Sequence, residues 1–294
     1  MKGKKKKQET MTVGLAAWYL CKGIAYITMV FFALTFIFAL IWILVNSLKT
    51  APDYMRNSFG LPKQFDFQNY VQVFTNLSYK GYGVLGMIGN TLILLAWNWF
   101  CTLVQPHLAA YVMARFNFKG RAFLEKACWV LTVVPLIGTA GMSMWVLNVT
   151  GLYDKFIGVF LLNSLGGLGM STIMYMNIYK GIPAAYAEAA YMDGASEWIV
   201  FTRIYYPQAL PVTYIFLITS FITVWGDFMT SYLYLPSHPT FALGLQQMQA
   251  QFVDFGNDYP VMFAALVVSL IPILIVYKKF YPQIVENKAL GVLK

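Results

Sequence analysis

The sequence predicts an all-α, polytopic membrane protein with six transmembrane helices, and three observations carry that reading. Of the 294 residues, 59% are hydrophobic and only 11% are charged, whereas soluble domains carry ~25% charged residues. Charge-free apolar stretches recur along the chain at the length a bilayer core of ~30 Å requires, about 20 helical residues at ~1.5 Å each. Basic residues gather in short runs beside those stretches, as membrane topology demands. That placement, rather than nucleic-acid binding, accounts for the net charge of +9.

The first expected span covers residues 23–48, after an N-terminal tail at 1–22. The tail opens with Lys2 and then Lys4 to Lys7, which resembles the basic start of a signal peptide. A secretory apolar core, however, is only ~7–15 residues and closes on small residues at a cleavage site. Gly23 to Leu48 is longer and is expected to remain as an anchor. The residues before Cys21, Ala17-Trp18-Tyr19-Leu20, also lack the small residues of a lipoprotein cleavage site. The remaining spans are expected at 81–114, 127–153, 156–179, 204–226 and 259–277. They make a five-helix core at 81–281, followed by a C-terminal tail at 282–294. Helix is the expected state throughout, because a spanning segment must satisfy its backbone hydrogen bonds internally. A seventh charge-free stretch, Phe228 to Val253, is set aside. It holds Pro236, Ser237, His238 and Pro239, then Gln246, Gln247, Gln249 and Gln251, a density of polar groups that lipid does not accept. A loop with a short amphipathic helix outside the membrane is expected there.

Orientation follows from the basic residues of the connections. One side holds Lys49, Arg56, Lys63, Lys80 and Lys155, which leaves sixteen of the 21 Lys and Arg for the other. Both termini, the connection 115–126 and the connection 180–203 are therefore expected in the cytoplasm, and 49–80, the turn at Asp154 and 227–258 outside.

Metal and disulfide chemistry find little support. Cys21, Cys101 and Cys128 are odd in number and lie in or beside apolar segments without paired spacing. His107 and His238 are the two histidines, read as polar residues at a helix end or in a loop. No metal site, catalytic set or cofactor is expected. The chain also lacks G-x-x-x-x-G-K-[ST] and so cannot cradle a nucleotide's phosphates in the P-loop manner.

The informative segment is the connection Lys180-Gly-Ile-Pro-Ala-Ala-Tyr-Ala-Glu188-Ala-Ala-Tyr-Met-Asp193-Gly194-Ala-Ser196-Glu-Trp. It reads as helix, turn, helix. Pro183 suits the first helical turn, where its missing N–H is no loss, and the alanines that follow are strong helix formers. Gly194 suits the left-handed residue that ends a helix, and Ser196 can cap the next. Such a helix is short and poor in large apolar side chains, so it is marginal alone. A solvated connector in any polytopic protein could carry these features.

The spacing adds more. Glu188-Ala189-Ala190, then Gly194, then Ile204 and Pro207 match "EAA, three residues, G, nine residues, I-x-L-P" in register, with Tyr206 at the usual Leu. Asp193 and Ala195 flank the glycine as in the sugar-permease version. The chain thus resembles the permease subunit of bacterial ATP-binding-cassette importers, in the carbohydrate branch typified by the maltose system. Asn90-Thr91 in the second span agrees, as does Ala109-Ala110-Tyr111 followed by Arg115, Phe118 and Gly120-Arg121. So do Pro135 and Trp225-Gly226-Asp227-Phe228, with Gly226 at the family's Asn, while Gly291-Val292-Leu293-Lys294 echoes the family's C-terminus only loosely.

The resemblance implies the type I importer permease fold, with a cytoplasmic coupling helix in the loop 180–211. It implies a bacterial inner-membrane location and import of a sugar or oligosaccharide. The implied partners are a second permease subunit, two copies of an ATPase subunit and an extracytoplasmic solute-binding protein, with the ATPase subunits hydrolysing ATP. Glu188, Ala189, Ala190, Asp193 and Gly194 are the residues expected at the ATPase contact. Trp225, Asp227 and Phe228 are candidates for the substrate pathway. An importer of the same class for a non-sugar solute is one alternative. A self-sufficient secondary transporter is another, although the inverted repeats and intramembrane acids of such folds are not evident. A membrane enzyme is a third, without a Ser/His/Asp set to support it.

Overall fold

The computed structural model describes residues 2–133, 138–164, 168–250 and 258–289, with side chains from 18 to 283 of these. They are mostly helical and form two compact units, Met1–Tyr70 with Asp258–Val267, and Val71–Asn257 with Val268–Lys294.

In the first unit, α1 (Lys2–Ser47) starts at Lys2, so residues expected as a tail continue the helix of the first span. Residues 18–41 of its apolar stretch are exposed, and the helix ends on buried Asn46 and Ser47. Beyond it lies α2 (Ala51–Arg56), opened by Thr50, whose hydroxyl accepts from the Asp53 N–H. Polar side chains close this segment: Asn69, 2% exposed, donates to the carbonyls of Ser47 and Lys49, and the Ser47 and Tyr70 hydroxyls lie 2.7 Å apart. Trp42 packs on Tyr54, Phe59 and Phe263.

The second unit begins within α3 (Gln68–Asn76). A two-residue hairpin follows, β1 (Ser78–Tyr79) with β2 (Tyr82–Gly83). Lys80 and Gly81 at its tip both have positive φ, +50° and +82°, as a tight hairpin turn requires. The second span is one continuous helix, Val84–Arg115, composed of α4 (Val84–Trp99), a π-helical turn at Phe100–Val104, and α5 (Gln105–Arg115).

The third and fourth expected spans depart from expectation, since each is two helices. The third is α6 (Arg121–Val133) and α7 (Thr139–Val149); the fourth is α8 (Phe156–Ser164) and α9 (Met170–Gly181). Gly138, left-handed at φ +74°, opens α7, and Gly169 stands before α9. Four helices among the described residues are long and apolar enough to cross a membrane singly: Trp18–Ser47, Val84–Arg115, Glu197–Gly226 and Tyr259–Gln283. Pro135 and the C-terminal Gly291 to Lys294 lie outside the described residues.

The connection after α9 holds α10 (Ala184–Met192) and α11 (Glu197–Val200). A second π-helical turn, Phe201–Tyr205, leads into α12 (Tyr206–Gly226). The two π-helical turns share a cause. Each ends two residues before a proline, Pro106 or Pro207, whose ring would clash with a carbonyl of the preceding α-turn. A wider turn relieves that clash without ending the helix.

After α12, the charge-free stretch set aside above forms α13 (Met229–Tyr234) and α14 (Phe241–Ala250), both too short to span. The bend between them is held by polar groups. Lys80 donates to the Pro236 carbonyl, Asn90 to that of Pro239, and Ser231 to that of His238. Asp154 accepts from the Ser237 N–H and Thr91 from the Phe241 N–H. The last helix, α15 (Tyr259–Ala289), continues past the expected end of its span.

Candidate functional site

The connection 180–205 is built onto the end of the bundle by a single face of α10. Ala187 is fully buried and Ala190 partly so. Three residues apart, they lie on one side of the helix. They join a core of Ala110 and Tyr111 from α5, Tyr175 and Tyr179 from α9, and Val200, Phe201, Tyr205 and Ala209. Alanine at these positions lets the helix approach closely, and it explains why the sequence places no large apolar residue there. The other face, with Ala185, Glu188, Ala189 and Met192, is exposed, Met192 by 88%. Tyr186 and Trp198 extend that exposed apolar surface, at 62% and 64%.

The turn after α10 has the expected chemistry. Gly194 is left-handed at φ +80°. Its N–H bonds to the Tyr191 carbonyl at 2.9 Å, and the Ala195 N–H reaches the Ala190 carbonyl at 2.9 Å. This is the pair of bonds that closes a helix on a glycine. A Cβ there meets no atom within 4 Å, so glycine is needed for its backbone, not for space. Pro183 stands at the N-cap of α10 rather than inside its first turn. Ser196 occupies the N-cap of α11, but its side chain makes no capping bond.

Glu188, Ala189, Asp193 and Gly194 are all exposed, and neither carboxylate forms an ion pair among the described residues. At the start of α10, an open groove of about 740 Å³ is lined by Asn177, Gly181, Pro183, Tyr186, Arg203 and Gln208. The neighbouring connection is fixed to the bundle by Glu125 of α6, which meets Lys180 of α9 at 2.8 Å and Arg121 at 3.2 Å. The Lys180 hydrogen bond, with Arg121 adding to it, holds the Glu125 carboxyl below its ordinary range.

Sequence reasoning missed several groups around this loop. Glu197 accepts from the hydroxyls of both Tyr111 and Tyr191, each at 2.7 Å. His107, expected at a helix end or in a loop, is buried inside the Val84–Arg115 helix. Its Nδ1 meets the Tyr179 hydroxyl and its Nε2 meets Thr213 Oγ1 at 2.9 Å. Thr213 spends its one proton on the Ala209 carbonyl, so it accepts from His107 Nε2–H, and Tyr179 donates to Nδ1. The ring also stacks on Tyr175 at 3.7 Å. Apart from Tyr191, six positions from Glu197, the side-chain hydrogen-bond partners of Glu197 and His107 lie 72 to 106 positions away, beyond any short-range pattern.

The second expected set, at the end of α12, is divided by its packing. Trp225 is 4% exposed, stacked on Phe221, set against Phe241, and bonded through Nε1–H to the Ser269 carbonyl. Asp227 and Phe228 are half-buried. Asp227 accepts from the N–H and the hydroxyl of Thr230 at the start of α13. The three residues adjoin in sequence, but Trp225 faces the interior.

Residues 107–285 match the family model of the binding-protein-dependent transport system inner membrane component. The diacetylchitobiose uptake system permease protein of Streptomyces coelicolor is 24% identical over 271 residues, 92% of this chain and 88% of that protein. The trehalose/maltose transport system permease protein of Thermococcus litoralis is 26% identical over 266 residues, 89% and 93% of the two chains. In fold, the chain is similar to a bacterial ABC transporter involved in import of the acidic polysaccharide alginate, with a TM-score of 0.69 at 21% identity over 87% of this chain and 93% of that one. The family match spans more than half of the sequence, and the chain belongs to the inner-membrane components of binding-protein-dependent transport systems.

Proposed function

We propose that this chain is one permease subunit of an importer for a sugar or oligosaccharide, driven by a separate ATPase through α10. The observation that carries the proposal is the family match over 107–285 together with the outward face of α10, which offers Glu188, Ala189 and Met192 while Ala187 anchors its back. The substrate class is supported by the printed functions of relatives, which transport diacetylchitobiose, trehalose or maltose, and arabinooligosaccharides. Six membrane crossings follow if α6 with α7, and α8 with α9, each cross as a broken span. Both termini are then cytoplasmic.

The partners are a second permease subunit, two ATPase subunits and a solute-binding protein, the last by analogy with the alginate transporter solved with its periplasmic protein. ATP binding must favour one state of the permease pair, because a contact equal in both states shifts nothing. Glu188 supplies charge to the ATPase contact and Gly194 the turn that presents it, with Ala189, Ala190 and Asp193 beside them. Asp227 and Phe228 are the residues at the end of α12 that can meet solute, and Trp225 supports them from the interior.

The test is reconstitution with the partner subunits in proteoliposomes. Glu188→Lys and Gly194→Val are each expected to leave the chain in the membrane but to abolish ATPase association or solute uptake. Normal uptake by both variants, with the ATPase bound, overturns the assignment. Uptake of labelled oligosaccharides by the wild-type complex checks the substrate class, and transport of a non-sugar solute alone would exclude it.

A further inference from the structure

We propose that Glu197 is a positioning residue of the import cycle, whose two carboxylate oxygens tie α10 to α5 so that force on α10 reaches the bundle. The proposal rests on the reading of α10 as the coupling helix.

The geometry is a clasp. Oε1 accepts from Tyr191 in the last turn of α10, and Oε2 accepts from Tyr111 of α5, both at 2.7 Å. Hydrogen bonds to an ionised acceptor are stronger than neutral ones. The Tyr111 end is firmly seated: that residue is 6% exposed, and its ring meets Phe201 at 4.9 Å and Tyr205 at 5.2 Å. One turn beyond Tyr111, the Arg115 guanidinium lies 5.1 Å over the Tyr205 ring, so a cation faces the same cluster. At the Tyr191 end, α10 has only nine residues and holds the core through Ala187 and Ala190. Two methyl groups allow a short helix to tilt or slide, and the clasp removes that freedom.

Behind Tyr111, the bundle is bonded across its helices. Tyr179 of α9, His107 of the second span and Thr213 of α12 form one chain of hydrogen bonds. A displacement entering at Tyr111 therefore meets elements already joined, the condition for transmitting movement rather than absorbing it. A carboxylate in the first turn of α11 also gains from the helix start. That interaction needs neither tyrosine, so tyrosine variants separate it from the clasp.

The experiment measures solute uptake and ATP hydrolysis together, in the complete complex with its partner permease, ATPase and binding protein in proteoliposomes. Glu197→Ala, and the double variant Tyr111→Phe with Tyr191→Phe, are expected to retain the ATPase at wild-type ratio. Solute transported per ATP should fall about tenfold, the scale of losing a charged hydrogen bond. Glu197→Gln keeps an acceptor oxygen, and with each single Phe variant it should recover part of the ratio. An unchanged ratio in the double Phe variant, which leaves the carboxylate and α11 intact, overturns the proposal. If Glu188→Lys loses the ATPase while the Glu197 and tyrosine variants transport normally per ATP, the clasp fails and the coupling helix stands. If Glu188→Lys and Gly194→Val both transport normally with the ATPase bound, the coupling reading and the clasp both fail.

Discussion

Asp227 holds Thr230 through both a backbone N–H and a hydroxyl, which makes it a cap for α13 whatever else it does. Losing such a cap costs roughly 1 kcal/mol, enough to lower abundance without touching transport. Its proposed role beside the solute is separable from this one. Thr230→Val removes the hydroxyl donor but leaves the carboxylate, and it is expected to reduce membrane abundance with uptake per molecule unchanged. Asp227→Ala is expected to lower uptake more than abundance, and Asp227→Asn to retain part of the activity. Equal loss of uptake and abundance in Asp227→Ala would leave the cap as its whole role. Legibility at this scale depended on the range of the interaction. Gly194 was readable because its bonds close within four residues on either side. Trp225 adjoins Asp227 and Phe228 in the sequence motif, but its direction is set by distant partners, Phe241 and Ser269, which the motif does not show. His107 carried no signal for the same reason, and neither did the bond of Glu197 to Tyr111, 86 positions away.

Among the helices, those with long uninterrupted apolar runs were legible in place though not at every end, since α1 begins at Lys2 and α15 runs to Ala289. The breaks where glycine punctuates a run were not legible. The 127–153 and 156–179 stretches met the hydropathy criterion for single spans, yet composition averages over the glycines at which α7 and α9 begin. The rejection of Phe228 to Val253 as a span was readable from its prolines and glutamines. How the resulting helices are seated was not. Gly244 of α14 lies against Met87 of α4, where an added Cβ would stand 2.5 Å from the sulfur and 2.8 Å from the terminal methyl. That atom is the end of a flexible side chain, so Gly244→Ala is expected to cost little. Gly244→Leu overfills the contact, with an expected cost of about 1–3 kcal/mol. A lowered melting temperature in detergent, restored in part by adding Met87→Ala, is the expected reading. Full stability of Gly244→Leu alone would show that α14 is not held against α4 at this point.

For the molecule as a whole, every functional proposal depends on which side of the membrane each connection faces. The bias of sixteen basic residues against five is the sole support for the proposed orientation, with 115–126 and 180–203 on the cytoplasmic side. The coupling proposal needs that orientation, since the ATPase can reach α10 only from there. The clasp rests on the coupling reading and needs the same orientation, which a direct measurement tests. The native thiols Cys21, Cys101 and Cys128 are first replaced by serine or alanine. Single cysteines are then placed at exposed positions: Asn117 and Ser196 in the two basic connections, and Gln64 and Gln249 in the two long acid-bearing ones. In intact cells an impermeant thiol reagent is expected to label the cysteines at 64 and 249, and to reach those at 117 and 196 only after lysis. Labelling of 249 only after lysis would restore Phe228–Val253 as a crossing and move both termini to opposite sides. Labelling of 196 in intact cells would put α10 outside, beyond the reach of any cytoplasmic ATPase, and would end the coupling reading whatever the phenotype of Glu188→Lys.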